Sequence, residues 1–222
     1  MAETLPLFPL GTVLLPGASL PLHIFEPRYR QLTVDLVTGA VPDRSFGVIA
    51  VRQGLGSAEE THEIGCSAVL REARRLPDGR FDIVSLGGKR FRLLEIDETS
   101  APYLVGSIEW VPDHEPAADE LLLLPMLASS ARAAHRRYCT AAWQYGDWDE
   151  PADDVSAATL SHLLAADCLL TQEDRQALLE ECSPADRLRM VRTLLVREAA
   201  FLRTLRAVPV PLSQFAEQPS RN

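Results

Sequence analysis

Chemistry needs particular side chains at particular spacings, and this sequence is sparse in them. Lys89 is the one lysine, so a Ser–Lys dyad would have to use it. Its neighbours Arg90 and Arg92 place it in an exposed cationic run, not in the desolvated setting that a basic amine needs. Gly87-Gly88-Lys89-Arg90 is the nearest approach to a phosphate-cradling loop. It lacks the leading glycine at the required spacing and the hydroxyl that would reach Mg²⁺. No G-x-S-x-G elbow and no H-E-x-x-H helix occurs. Cys66, Cys139, Cys168 and Cys182 contain no C-x-x-C pair and read as free thiols, mostly buried. His23, His62, His114, His135 and His162 fall on different elements. An enzyme built on Cys66 or on a His–acid pair is the weakest reading. Asp113-His114-Glu115, with Asp119 and Glu120, reads as a solvated charge run on a linker. No catalytic residue, no metal site and no cofactor is expected.

One basic cluster invites a phosphate or RNA reading. Arg71, Arg74, Arg75 and Arg80 surround a turn, with Phe81 beside them. Glu72, Asp78 and Asp82 interrupt the cluster. The whole chain of 222 residues carries 22 basic and 31 acidic residues, a net charge of −9. Both halves are acidic, so the basic footprint of a phosphate-backbone binder is missing. A solvated hairpin face is the preferred reading, and nucleic acid is disfavoured as a partner. With 46% hydrophobic and 24% charged residues, the composition is that of an ordinary globular protein. The N-terminus shows no secretory pattern and no apolar run long enough for a bilayer. The expectation is a cytoplasmic protein with no membrane attachment.

The elements that must position these residues change character along the chain. Short apolar runs at Leu5–Leu10, Thr12–Leu15, Ser19–Phe25, Phe46–Val51, Cys66–Leu76, Phe81–Leu86, Phe91–Ile96 and Tyr103–Trp110 read as strands of a barrel or sandwich. Pro77-Asp78-Gly79-Arg80 is a hairpin turn, and Gly87-Gly88 reads as a further turn. One helix interrupts them. It opens at Glu26-Pro27, presents Tyr29, Leu32 and Leu36 at helical spacing, and stops at Gly39. Beyond Pro112 the periodicity is helical: Glu120 to about Trp143 with Pro125 resetting its start, Ser156–Cys168, Glu173–Glu181 behind a Thr171 cap, and a long helix after Ser183-Pro184. Gly146–Pro151 reads as a loop. These shifts divide the chain into a β-rich unit, 1–115, a helical unit, 116–208, and a frayed tail, 209–222.

Residues 5–30 carry the most specific signal, above all Leu22-His23-Ile24-Phe25-Glu26-Pro27-Arg28-Tyr29-Arg30. Phe46-Gly47-Val48-Ile49, Glu63–Ala68 and the hairpin from Asp78 through Leu93 follow in order. Together these resemble the Lon protease N-terminal, or substrate-binding, domain family. The resemblance extends more weakly through Leu160–Leu170, Asp174–Glu180 and Arg187-Leu188, so it covers nearly the whole chain. It implies an α+β fold: a PUA-like β-barrel with one short helix, followed by a C-terminal α-helical bundle. It implies a stand-alone module without the ATPase and protease domains of full-length Lon. It implies binding of polypeptide clients or a partner protein in an apolar groove, possible cooperation with a separate ATPase or protease, and His23, Phe25, Glu26, Arg28 and Tyr29 as the binding residues. The runner-up is a PUA-like RNA- or nucleotide-binding module using Arg71, Arg74, Arg75 and Arg80.

Overall fold

In the computed structural model, residues 3–52, 60–143 and 148–205 are described. The tail assigned to 209–222 lies outside them, as does the start of the 146–151 loop. The order of elements is β1 (Glu3–Leu10), β2 (Ser19–Ile24), α1 (Pro27–Thr38), β3 (Ser45–Arg52), β4 (Glu60–Thr61), β5 (Ile64–Arg75), β6 (Phe81–Asp97), β7 (Val105–Trp110), α2 (Ala118–Ala142), α3 (Ala157–Ala166), α4 (Gln172–Glu180) and α5 (Pro184–Leu205). A short 3₁₀ turn at Pro42–Arg44 leads into β3. A mixed sheet and five α-helices make this an α+β protein.

β1 organises the sheet because both of its edges are used. It runs antiparallel to β7, with Glu3 opposite Ile108, and parallel to β3, with Leu7 opposite Gly47. The order β1-β7-β6-β5-β3 therefore returns to β1. Each of these five strands is thereby paired along part of both edges. Leu5, Leu7, Ile49, Phe91 and Ile108 pack together as one buried cluster. The remaining buried apolar residues form a second cluster that runs without a break from Phe8 and Leu15 to Leu188 and Leu195.

The seventeen-residue β6 is the spine. One edge pairs with β5 from Phe81 to Arg92; the other pairs first with β2, through Leu86, and then with β7, from Phe91. Gly87-Gly88 sits at this exchange of partners. The sequence marks it as a turn, and the structure corrects that: the strand passes straight through. The glycines are needed for close approach instead. The Gly87 N–H donates to the Ala18 carbonyl (2.8 Å) and its carbonyl accepts from Gly17 N–H (2.9 Å). A Cβ on Gly87 would lie 2.2 Å from the Leu15 carbonyl oxygen. The Ser67 hydroxyl fills the irregularity opposite, accepting the Lys89 N–H at 2.8 Å.

Helix ends follow the local rules. α1 begins with Pro27 in its first turn and stops at Gly39, whose φ of 83° is left-handed. Ser156 and Thr171 cap α3 and α4, accepting from the Thr159 and Asp174 amides. Ser183 does the same for α5 through Asp186 N–H. Pro125 resets nothing; α2 continues through it from Ala118. Thr12–Leu15 is not a strand, although Val13, Leu14 and Leu15 are buried.

The helices are joined to the sheet by charge as well as by apolar packing. Asp113 follows β7 in the segment read as a solvated linker. It is instead half-buried and accepts hydrogen bonds from Arg90 on β6 (2.7 Å) and from two nitrogens of Arg187 on α5 (2.8 Å each). Arg187, fully buried, also donates to the Ser161 hydroxyl and to the Ala158 and Glu181 carbonyls. Arg90, 4% exposed, donates to the Leu179 and Glu181 carbonyls. Burial, the largest influence on Asp113, raises its pKa, but the hydrogen bonds and charge of Arg187, with the charge of Arg90, hold it below the ordinary carboxylate value. His162 on α3 is buried beside this cluster. Burial, then the charges of Arg187 and Arg90, push its pKa down to about 3.

Gly87→Ala should lower the unfolding free energy by about 2–3 kcal/mol, because backbone must move; Gly39→Ala, in open space, should cost about 1 kcal/mol. Urea titration of both variants tests the contrast. Asp113→Asn leaves two buried guanidiniums without their counter-charge and should cost about 3–5 kcal/mol. Because the folded Asp113 pKa is depressed, its stabilisation is complete above the unfolded value of about 4 and is lost as pH falls through the folded value. The depressed pKa of His162 acts at higher pH: the unfolded chain binds its proton first, so stability declines as pH falls below about 6.5. That decline should reach about 2 kcal/mol by about pH 5. Denaturation of the parent and of His162→Gln from about pH 7 to 5 measures the difference; equal slopes would remove His162 as the cause.

Candidate functional site

The corner between β2 and α1 is built by three local constraints. Pro21 and the remainder of β2 sit on a strand whose assigned pairing is with β6 alone, so Pro21 has an edge position for its missing N–H. Pro27 fixes φ for the first turn of α1. Glu26, between them, is extended (φ −67°, ψ 136°) and makes no side-chain cap; its carboxylate pairs instead with Arg28 at 2.9 Å.

This corner borders a cleft of about 510 Å³. His23, Phe25, Glu26, Arg28 and Tyr29, the five residues named from the sequence, all line it. Phe25 is 62% exposed, a large apolar side chain held at the rim. The floor is aromatic: the Tyr29 ring stacks on Phe8 with centroids 3.9 Å apart, and the Arg28 guanidinium lies 4.6 Å from the centre of the Tyr29 ring. The sequence reading missed Val51, at the end of β3, and Leu104, just before β7, which complete the walls. Their proximity depends on β1 pairing with both β3 and β7, and no local pattern announces it. The chemistry offered is apolar burial, with one ion pair and one imidazole at the edge.

The arginine hairpin is exposed, and its charges are partly paired. Asp82 takes His23 Nδ1 at 2.7 Å and Arg74 Nη2 at 2.5 Å. The His23 hydrogen bond first, then that of Arg74, lowers the Asp82 pKa. Arg80 pairs with Asp78 at 2.6 Å. Arg74 and Arg75 are consecutive in β5 and project to opposite faces. Two of the four arginines, Arg74 and Arg80, have carboxylate partners.

The buried cysteines are poor nucleophiles. Burial drives the Cys66 thiol up to about 12. Cys139 lies 3.5 Å from His135 Nε2 on α2, a Cys–His contact at helical spacing. Burial raises that thiol to about 12 and lowers the imidazole, so thiol and ring both stay neutral. Among the described residues no group of three or more His, Cys, Asp or Glu gathers as a metal site, and no helix is long and apolar enough to cross a membrane.

Comparison with known proteins identifies the family and the fold. The chain is 27% identical over 196 residues to Lon protease 1 of Herpetosiphon aurantiacus, covering 85% of this chain and 23% of that protein. It is 31% identical over 121 residues to the Lon protease of Parabacteroides distasonis, covering 52% and 14%. The chain therefore spans less than a quarter of the length of these relatives. Among solved structures, a Lon N-terminal domain protein from Xanthomonas campestris superposes with a TM-score of 0.57 at 26% identity, over 93% of this chain and 99% of that one. The N-terminal domain of a Mycobacterium avium complex Lon protease gives 0.64 at 18% identity, over 87% and 98%, a likeness of fold. The family described as the ATP-dependent protease La (LON) substrate-binding domain matches residues 4–197, and the chain belongs to that family.

Proposed function

We propose that this protein is a non-catalytic module that binds flexible or unfolded polypeptide in the cleft at the β2–α1 corner. The observation that carries the reading is the exposed Phe25 at the rim of an aromatic-floored cleft, in a family defined by substrate binding. Burial of apolar client side chains against Phe25, Tyr29 and Phe8 supplies affinity; Glu26, Arg28 and His23 supply polar contacts at the edge. The ring of pairings through β1 supports reading the β-rich unit, 1–115, as a PUA-like barrel. The packing of α2 and α3 against α5 supports a helical bundle over 116–208. A cytoplasmic setting, and work alongside a separate ATPase or protease, belong to the same reading.

Phe25→Ser should weaken binding of a carboxymethylated, permanently unfolded polypeptide by about tenfold or more, with the thermal midpoint unchanged because Phe25 is exposed. Fluorescence anisotropy titration measures it. An unaltered affinity would move the client away from this cleft.

A further inference from the structure

A second cavity, of about 570 Å³, opens where β6, the segment after β7 and the first half of α3 meet. Trp110, Val111 and Pro112 give it apolar walls; Lys89, Arg90, Asp113 and His162 give it polar ones. Two of these groups are already committed to each other. Asp113 is shared by Arg90 and Arg187, so one carboxylate faces two guanidiniums and a positive charge is left over. Lys89 adds another. In a protein of net charge −9 this is a local cationic centre.

The other two groups point to a ligand. Lys89 is exposed, with its Nζ 5.6 Å from the centre of the Trp110 ring. Among the described residues no carboxylate lies within ion-pair distance of it. His162 is 3% exposed, and its Nε2 is buried without a hydrogen-bond partner. The ring is hydrogen-bonded to the Leu178 backbone. A neutral imidazole that donates from one nitrogen presents the other as an acceptor, and a buried acceptor without a donor is costly. Ala158 and Thr159, in the first turn of α3, also line the cavity and bring the positive end of the helix dipole.

We propose that this cavity binds a carboxylate next to an acylated amine on an apolar body, the chemistry of an N-acyl amino acid or of a peptide's C-terminal residue. The carboxylate sits against Lys89 and the start of α3. The apolar side chain packs on Trp110 and Pro112, and the amide N–H donates to His162 Nε2. The site is separate from the Phe25 cleft and does not rest on it.

Isothermal titration of the full chain with N-acetyl-L-leucine, N-acetyl-L-leucinamide and 4-methylpentanoate tests each group. The acid should bind saturably with a Kd of about 1 mM, ordinary for about a dozen heavy atoms. The amide, lacking the charge, should bind about tenfold more weakly. The 4-methylpentanoate, lacking the N–H, should bind about fivefold more weakly. Lys89→Gln, an exposed change, should keep the thermal midpoint and weaken the acid about tenfold; Lys89→Arg should restore it. Thr159→Trp, at an exposed position on the rim, should block entry. No saturation by about 10 mM, equal affinity for acid and amide, or an unaffected Lys89→Gln would overturn the site. Equal affinity for 4-methylpentanoate would overturn the contact given to His162. Phe25→Ser should leave this binding unchanged, and a loss there would assign the ligand to the other cleft and overturn the proposal. An acetylated pentapeptide ending in leucine identifies the source: tighter binding than N-acetyl-L-leucine supports a chain terminus, weaker binding supports a free small molecule, and either order supports the carboxylate site.

Discussion

Asp113 is the point at which sheet and helices are held in register. Its carboxylate takes two guanidiniums, one carried by the central strand β6 and one by α5. Those guanidiniums also collect the carbonyls that end α4 and the Ala158 carbonyl at the start of α3. Apolar packing tolerates sliding; a bidentate carboxylate–arginine contact does not, because its geometry is directional. One of the two clefts lies beside the cluster itself.

The cost of such an arrangement is that every member must be matched. Arg187 has donors facing the Ser161 hydroxyl, two carbonyls and both Asp113 oxygens, which uses its full donor set. A lysine there would offer three donors from a single point and could not span the same partners. The cluster gives a physical reason for two of the many arginines in this chain.

What could be read from the sequence followed interactions between near neighbours. The ends of α1 were legible because Pro27 and Gly39 act within one turn. The caps at Thr171 and Ser183 were legible for the same reason. The string from Leu22 to Arg30 also named five residues that share a cleft, since all lie within one corner of chain. Arg90 and Asp113 were not legible. Arg90 stood in a run of cations and Asp113 in a run of acids, and each run reads as solvated until a partner 23 or 74 residues away is known. Gly87-Gly88 failed similarly. Glycine answers both to a turn and to a backbone crossing, and only the position of Leu15 decides between them.

The double pairing of β1 also bears on the order in which the protein can be made. Its first residues need a partner that is synthesised about a hundred positions later, since Glu3 faces Ile108. The β5–β6 hairpin, by contrast, closes on itself across a five-residue connection. On a ribosome β1 can meet β3 and the hairpin can form first, while the edge of β1 that faces β7 stays open until Trp110 has left the exit tunnel. The seam between β1 and β7 is therefore among the last to close in the sheet.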